Sequence, residues 1–330
     1  MYLRYFLSNN HNMLHTNSLL LLGTMLAVIN NAECKPNSAH PILTPSDVIG
    51  VEPEYLTDHW GIVDFKPVPA FFINTHDPVS QDQYISASVH QHDRPWDSYI
   101  WDRLVSLTTA PDGQVFVDVG ANLGYFTLAA ASLGYKVIAF EPMSRNAQKL
   151  AKSIQRNEQF ASRVTLYQNA VTALSGQPVT LHETHHSNQG NGQIVVSDAD
   201  IMDGILDHDD NVLHSVTLSE VLQGVNAFIV KIDVEGHENE VLEGAREWIC
   251  KNVVTHIIME ISDATKLSSH PSLSTLIDFL TAAGYEMADV AVGSTVLQTH
   301  TVDALPPNVI FSLKGNTPTC LTYGSDQDTL

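Results

Sequence analysis

Apolar positions along this chain follow two alternating patterns. From Trp96 they recur at Ile100, Leu104 and Leu107, the spacing of a helix with one buried face. Val115–Val119 (VFVDV) then forms an unbroken, β-branched run between Asp112-Gly113 and Gly120, which predicts a strand buried on both sides. The two signals then trade places: a helix over 123–133, a strand over 136–140, a helix capped by Ser144 and running to about Asn157, and a strand over 164–167. A strand over 228–232 (FIVKI), a helix from about Asn239, a strand over 256–261, a helix over 272–283 closed by Gly284, and a strand over 309–313 complete the series. This order predicts an α/β fold with a mostly parallel sheet and helices on both faces.

Two stretches break the rhythm. Residues 170–215 hold a turn signal at Ser175-Gly176, which predicts a hairpin, then the polar run HETHHSNQGNG and an acidic stretch over 198–210; they read as a long insertion over the sheet edge. Residues 33–92, with KPNSAHPILTP and PVPAFF, read as a linker and an irregular N-terminal extension, followed by a catalytic-size domain over 93–315 and a tail over 316–330. Ahead of them, Ser18–Ile29 (SLLLLGTMLAVI) is uncharged and too short for a comfortable membrane span. With Arg4 upstream and Ala32 downstream, residues 1–32 predict a signal peptide or signal anchor and entry into the secretory pathway, the cytoplasm being the alternative.

Composition narrows the partners. Lys plus Arg number 16 against 37 Asp plus Glu, a formal net charge of -21. Such a chain repels a phosphate backbone, so no nucleic-acid partner is expected, and the membrane enters only through the N-terminal anchor. Cys34, Cys250 and Cys320 are too few and scattered for a disulfide framework or a zinc cluster. A Cys250–Cys320 bridge requires an oxidising compartment; free, mostly buried thiols are the expected state.

The chemistry gathers at the carboxyl ends of the strands, where open α/β sheets bind ligands. The first strand ends in DVGANLGYFT (118–127), with Gly120 and Gly124 allowing a tight turn. Glu141, 21 positions after Gly120, lies at the reach of a ribose diol. A nicotinamide dinucleotide requires G-x-G-x-x-G around its pyrophosphate. Here Asn122 stands for the middle glycine and Tyr125 for the third. The D-x-G-x-N-x-G turn suits S-adenosylmethionine better, a ligand with an amino-acid tail, a sulfonium and no phosphate.

VFVDVGANLGYFTL, FEP at 140–142, YQNAV at 167–171, FIVKIDVEGHENEVLEGA at 228–245 and IIMEIS at 257–262 together closely resemble the FkbM family of methyltransferases. The resemblance runs from about Trp96 to Leu313. It implies a class I methyltransferase (Rossmann-like) fold with a mostly parallel, seven-stranded sheet, S-adenosylmethionine as cofactor, and a hydroxyl on a saccharide or other small molecule as methyl acceptor. By motif it implies that Asp118, Gly120, Asn122 and Gly124 hold the methionine part of the cofactor. It further implies that Glu141 binds the ribose, that Asn169 and Ala170 flank the adenine, and that Asp233 and Glu235 sit beside the reacting methyl. Trp96 and Asp97 fall where similar proteins carry an aromatic–acidic pair; closure over the cofactor and simple core anchoring are both open to them.

Methylating a hydroxyl requires alignment and a base. Asp233, Glu235, His237 and Glu260 lie at the ends of adjacent strands; Asp233 is expected to orient cofactor or substrate, and His237 or Glu235 to accept the proton. Glu235 as a partner of a helix dipole and His237 as a solvated loop residue are the plainer readings. A metal held by Asp233, Glu235 and His237 with His182, His185 and His186 is conceivable, but clustered loop histidines are usually solvated, so no metal is expected. Two other functions stay open: a nicotinamide-dependent oxidoreductase, against which the missing glycines count, and a non-catalytic binding protein with an intact cofactor pocket.

Overall fold

A computed structural model describes residues 41–320, apart from 43–44, 49–56, 92, 110, 184–191, 196–212, 268–271 and 293–301. The apolar run Ser18–Ile29, His185, His186 and the acidic stretch 198–210 lie outside the described residues, as does the side chain of His182.

The described residues begin with β1 (Pro41–Ile42), β2 (His59–Val63), β3 (Phe71–Thr75), α1 (Ile85–Gln91) and α2 (Ser98–Leu107). The predicted alternation follows as β4 (Val115–Val119), α3 (Tyr125–Leu133), β5 (Lys136–Phe140), α4 (Ser144–Arg156) and β6 (Val164–Tyr167). Then come β7 (Pro178–Glu183), β8 (Gly192–Val195), β9 (Leu213–His214) and the short α5 (Leu218–Val221). The last part holds β10 (Ala227–Ile232), α6 (Glu238–Lys251), β11 (Val254–Glu260), α7 (Asp263–Leu267), α8 (Leu273–Ala282), β12 (Tyr285–Asp289) and β13 (Asn308–Leu313).

The central sheet has eight strands rather than seven, in the order β1-β6-β5-β4-β10-β11-β13-β12. The eighth is β1, a two-residue edge strand antiparallel to β6. From β6 to β11 the pairing is parallel, and β13 runs antiparallel between β11 and β12. The chain leaves β4 toward β5 and β6, then returns to the other side of β4 as β10, so strand order reverses between β4 and β10. At that switch point the strand ends diverge and leave room for a ligand.

Strand periodicity sorts side chains between two cores. Val117, Val119, Val230, Ile232, Ile257 and Met259 face one core, which also contains Trp248 of α6 and Leu276 of α8. Phe116, Ile229 and Ile258 face the other, shared with Leu104 of α2, Leu128 of α3 and Ile73 of β3. Asp118 and Lys231 alternate with these residues and are paired in register across β4 and β10, on the α3 side. They are therefore charged groups inside a hydrocarbon layer, which demands partners.

Several expectations are corrected. The stretch read as irregular contains the β2–β3 hairpin and α1. The hairpin docks on α4: Asn157 Oδ1 accepts from the Phe72 amide at 2.9 Å while its Nδ2 donates to the Phe72 carbonyl at 2.7 Å. Ser153 Oγ accepts from the Asn74 amide at 2.8 Å. The insertion is a small antiparallel sheet, β8-β7-β9; its hairpin joins β7 to β8, with Glu183 opposite Gly192, and Ser175-Gly176 turns the chain into β7. Met143, not Ser144, sits at the cap position of α4. Cys250 and Cys320 are not free thiols but form a disulfide across a sequence separation of 70. Tertiary folding makes this possible: the Thr319 amide donates to the Ala283 carbonyl, which lays the C-terminal segment beside α8.

Candidate active site

The turn after β4 is built by crowding. Gly120 has φ 81°, and a Cβ placed on it would lie 1.8 Å from the Asp233 carbonyl oxygen, so the turns after β4 and β10 are in backbone contact. Gly124 has φ 86°, and its Cβ would meet Leu150 Cδ1 at 2.2 Å. Asn122 adopts φ 53°, a conformation that a short polar side chain tolerates, and its Oδ1 accepts from the Leu123 amide at 2.7 Å.

Every amide from residue 120 to 124 is already satisfied. Gly120 and Ala121 donate to the Phe140 carbonyl, Asn122 to Glu141 Oε2, Leu123 to Asn122 Oδ1, and Gly124 to the Ala121 carbonyl. A dinucleotide fold keeps such amides for a pyrophosphate. None of these five is left for one, which argues structurally against the oxidoreductase alternative.

Glu141 lines the cleft beside this turn. It is 4% exposed and accepts from the Asn122 amide at 2.7 Å and the Met143 amide at 2.9 Å. Burial pushes its carboxyl up to about 7, although those amides, Asn146 and Arg145 all favour the charged form. Asn169 and Ala170 line the far wall; Asn169 Nδ2 donates to the His214 carbonyl at 2.9 Å, which commits its amide nitrogen to the insertion.

Opposite the turn, Asp233 and Glu235, in the loop after β10, and Glu260, at the end of β11, converge on the cleft. Glu235 is held at φ 57°, a costly conformation for a residue with a side chain. The support is Glu238, fully buried at the start of α6. Its Oε1 accepts from the amides of Val234 and Gly236, and its Oε2 from Gly236 and, at 2.5 Å, from Thr265 Oγ1. Read from sequence as one more acidic residue of a helical motif, Glu238 is the clamp of the loop. Glu260 behaves differently from its neighbours. Burial first, then the charges of Asp233, Glu235 and Glu238, push its carboxyl up to about 9, so it carries its proton at neutral pH.

Lys231 lines the same cleft. Its Nζ donates to Asp233 Oδ2 at 3.0 Å, stands 3.9 Å from Asp118 Oδ1 and lies 5.5 Å from the Phe126 ring centroid. Burial alone would lower its pKa; the carboxylates of Asp233, Asp118 and Asp97 outweigh burial and hold it above its usual value. Asp118 is 1% exposed, accepts from Thr127 Oγ1 at 2.6 Å and does not line the cleft. Gly124 and His237 are likewise absent from the lining, and His237 occupies the cap position of α6 without a side-chain cap bond. Among the described residues no group of three or more His, Cys, Asp or Glu side chains is arranged to hold a metal ion.

The remaining wall comes from ahead of β4: Tyr84, Ile85, Trp96 and Asp97. Tyr84 and Trp96 meet edge to face with centroids 6.2 Å apart, and the Trp96 amide donates to Tyr125 Oη at 3.2 Å. Trp96 packs against the second core and also lines the cleft. Tyr84 and Ile85 carried no sequence signal, because they sit in the stretch read as irregular.

Five carboxyl groups and one ammonium thus line a cleft whose turn excludes any Cβ at its tightest point. That charge balance attracts a cation and suits a sulfonium cofactor. The model of the Methyltransferase FkbM domain matches residues 118–287, just over half of the chain. The chain belongs to the FkbM methyltransferase family. This FkbM protein is an enzyme, and S-adenosylmethionine is its methyl donor. No curated protein matches it. Solved structures resemble it distantly. The precorrin-6y C5,15-methyltransferase of Geobacter metallireducens GS-15 has 14% identity and a TM-score of 0.36, over 71% of this chain and 100% of that one. The Bacillus cereus O-methyltransferase in complex with SAH has 14% identity and a TM-score of 0.35, over 69% and 86%. The T. thermophilus 16S rRNA N2 G1207 methyltransferase, in complex with AdoMet and guanosine, has 12% identity and a TM-score of 0.37, over 78% and 51%. The fold of the FkbM protein rests on its own strand order, not on these likenesses.

Proposed function

We propose that this enzyme methylates a hydroxyl group of a small molecule or saccharide, with Glu235 as the base. The observation that carries the reading is the convergence of Asp233, Glu235 and Glu260 across the cleft from the Gly120 turn, with unequal surroundings. In this reading Gly120 and Asn122 flank the methionine part of the cofactor and the Glu141 carboxylate accepts from its ribose hydroxyls. The Asn169 carbonyl oxygen, the atom not committed to His214, meets the adenine amino group beside Ala170. Bound there, S-adenosylmethionine supplies an electrophilic methyl carbon on a good sulfide leaving group.

The protein supplies alignment and proton transfer. Asp233, fixed by Lys231, orients the acceptor. Glu260, holding its proton, donates a hydrogen bond to an acceptor oxygen and cannot itself serve as the resting base. Glu235 takes the acceptor's hydroxyl proton on a carboxylate oxygen. His237, Asp118 and Gly124 do not line the cleft, which favours Glu235 over His237 as the base and has Asp118 and Gly124 act from behind the wall. The cleft's carboxylates and the net charge of -21 argue against a polyanionic acceptor.

The test is methyl transfer from labelled donor to a panel of hydroxylated small molecules and saccharides, with the product's methyl position read by NMR. Glu235→Gln is expected to lower turnover about 10²–10⁴-fold, while His237→Ala stays within a few-fold of wild type. Methyl found on nitrogen or sulfur, or a Glu235→Gln variant with full turnover, overturns the reading.

The compartment is part of the proposal. The apolar run Ser18–Ile29 supports entry into the secretory pathway, and the Cys250–Cys320 bridge supports an oxidising destination. A fusion of residues 1–40 to a reporter tests it; cytosolic retention ends it.

A further inference from the structure

The methionine part of the donor carries a carboxylate, and the cleft is a hostile place for one. Asp97, Glu141, Asp233, Glu235 and Glu260 all line it. The amides of residues 120 to 124, the backbone donors nearest the turn, are each committed to acceptors within the protein. Among the side chains that line the cleft, Lys231 alone is cationic.

Its surroundings leave it incompletely used. An ammonium has three protons to donate. One goes to Asp233 Oδ2 at 3.0 Å. Asp118 Oδ1, at 3.9 Å, is close enough for an ion pair but beyond hydrogen-bond range, and that oxygen has no hydrogen-bond partner. The Lys231 side chain is 4% exposed and set over the Phe126 ring, and the cleft is the side on which it meets no carboxylate of the described residues beyond these. Its position is fixed by the sheet: Asp118 is its register partner on β4, and Asp233 follows directly after the last residue of its own strand.

We propose that Lys231 is the cofactor-carboxylate site: its ammonium, held by Asp118 from below and Asp233 from the side, donates to the carboxylate of the donor's methionine part. Asp118 then acts as a positioning residue. It sets the height of the ammonium and never touches the ligand, which accounts for an acidic residue of the turn motif lying behind the wall. The inference rests on the donor reading of the cleft.

The experiment is calorimetric titration of the full chain with three ligands: S-adenosylhomocysteine, its decarboxylated analogue, and 5′-methylthioadenosine, which lacks the amino-acid head altogether. Wild type is expected to bind S-adenosylhomocysteine at least tenfold more tightly than the decarboxylated analogue, the scale of a charge-assisted hydrogen bond. Lys231→Met removes that preference while leaving the affinity for 5′-methylthioadenosine within about threefold. A merely structural lysine would weaken all three ligands together. If Lys231→Met does not fold, Asp118→Asn/Lys231→Met removes the buried charge with its partner, and the same ratio is read. A wild-type protein with no preference for the carboxylate overturns the inference without any variant, as does a Lys231→Met protein that retains the preference. A wild-type protein that binds none of the three overturns the donor reading itself.

Discussion

Glu141 provides a prediction whose size follows from its surroundings. Its ordinary carboxyl value of 4.5 is raised to about 7 because burial outweighs the two amides that point at it. In the proposed reading the ionised form accepts from both ribose hydroxyls. At pH 6 roughly one molecule in eleven carries that form and at pH 8 roughly ten in eleven. An affinity that requires a minor form is divided by its population, so donor binding should tighten about tenfold from pH 6 to pH 8, worth about 1.4 kcal/mol. For the ligand-free protein the sign is opposite. A raised carboxyl contributes stability that is full below 4.5 and lost as pH rises through about 7. The assay is calorimetric titration of S-adenosylhomocysteine at pH 6, 7 and 8, with Glu141→Gln as control. Glutamine keeps the shape and removes the titration, so its affinity should be lower and nearly flat across that range. A flat wild-type profile, or an equal slope in Glu141→Gln, would falsify the assignment of Glu141 to the ribose.

Two further outcomes are expected. Gly120→Ala should abolish S-adenosylhomocysteine binding and lower the melting temperature well beyond Gly113→Ala. Both have φ near 80°, but a Cβ at Gly113 meets nothing within 4 Å whereas one at Gly120 meets the Asp233 carbonyl oxygen, so equal losses in thermal melts would refute the crowding argument. Replacing Cys250 and Cys320 together by alanine frees a loop of 70 residues, and chain entropy sets the loss at up to about 4 kcal/mol, or about 10 °C in melting temperature. Identical melts of wild type with and without reductant would show that the bridge does not form.

Much of the fold was legible because parallel strands are buried on both faces and therefore read as continuous apolar runs. β5 and β6 fall where the pattern puts them, while β10 and β11 differ at their ends by one or two residues. β12 escaped notice: as an edge strand its YEMAD alternates buried and half-buried positions, and two of the latter are acidic. The β2–β3 hairpin was hidden by its own turn, since Pro67 and Pro69 look like linker composition until Asn157 and Ser153 are seen to dock the strands. The candidate site divides in the same way. Gly120, Asn122, Glu141, Asn169, Asp233, Glu235 and Glu260 are consecutive motif residues at strand ends, and the sheet brings them to one cleft. Glu238, Lys231 and the Cys250–Cys320 pair take their roles from partners that pattern cannot supply: two loop amides, a cross-strand carboxylate and a cysteine far along the chain.

The wall formed by Tyr84, Ile85, Trp96 and Asp97 lies ahead of the stretch 118–287 matched by the family model. The cleft thus takes its walls from two stretches of the chain, which meet where the Trp96 amide donates to Tyr125 Oη. A substitution at Tyr84 or Ile85 changes the cleft's lining, whereas one methyl group on Gly120 collides with the Asp233 carbonyl. The leading segment is therefore no loose appendage: Asn157 and Ser153 of the matched region hold the β2–β3 hairpin by three hydrogen bonds.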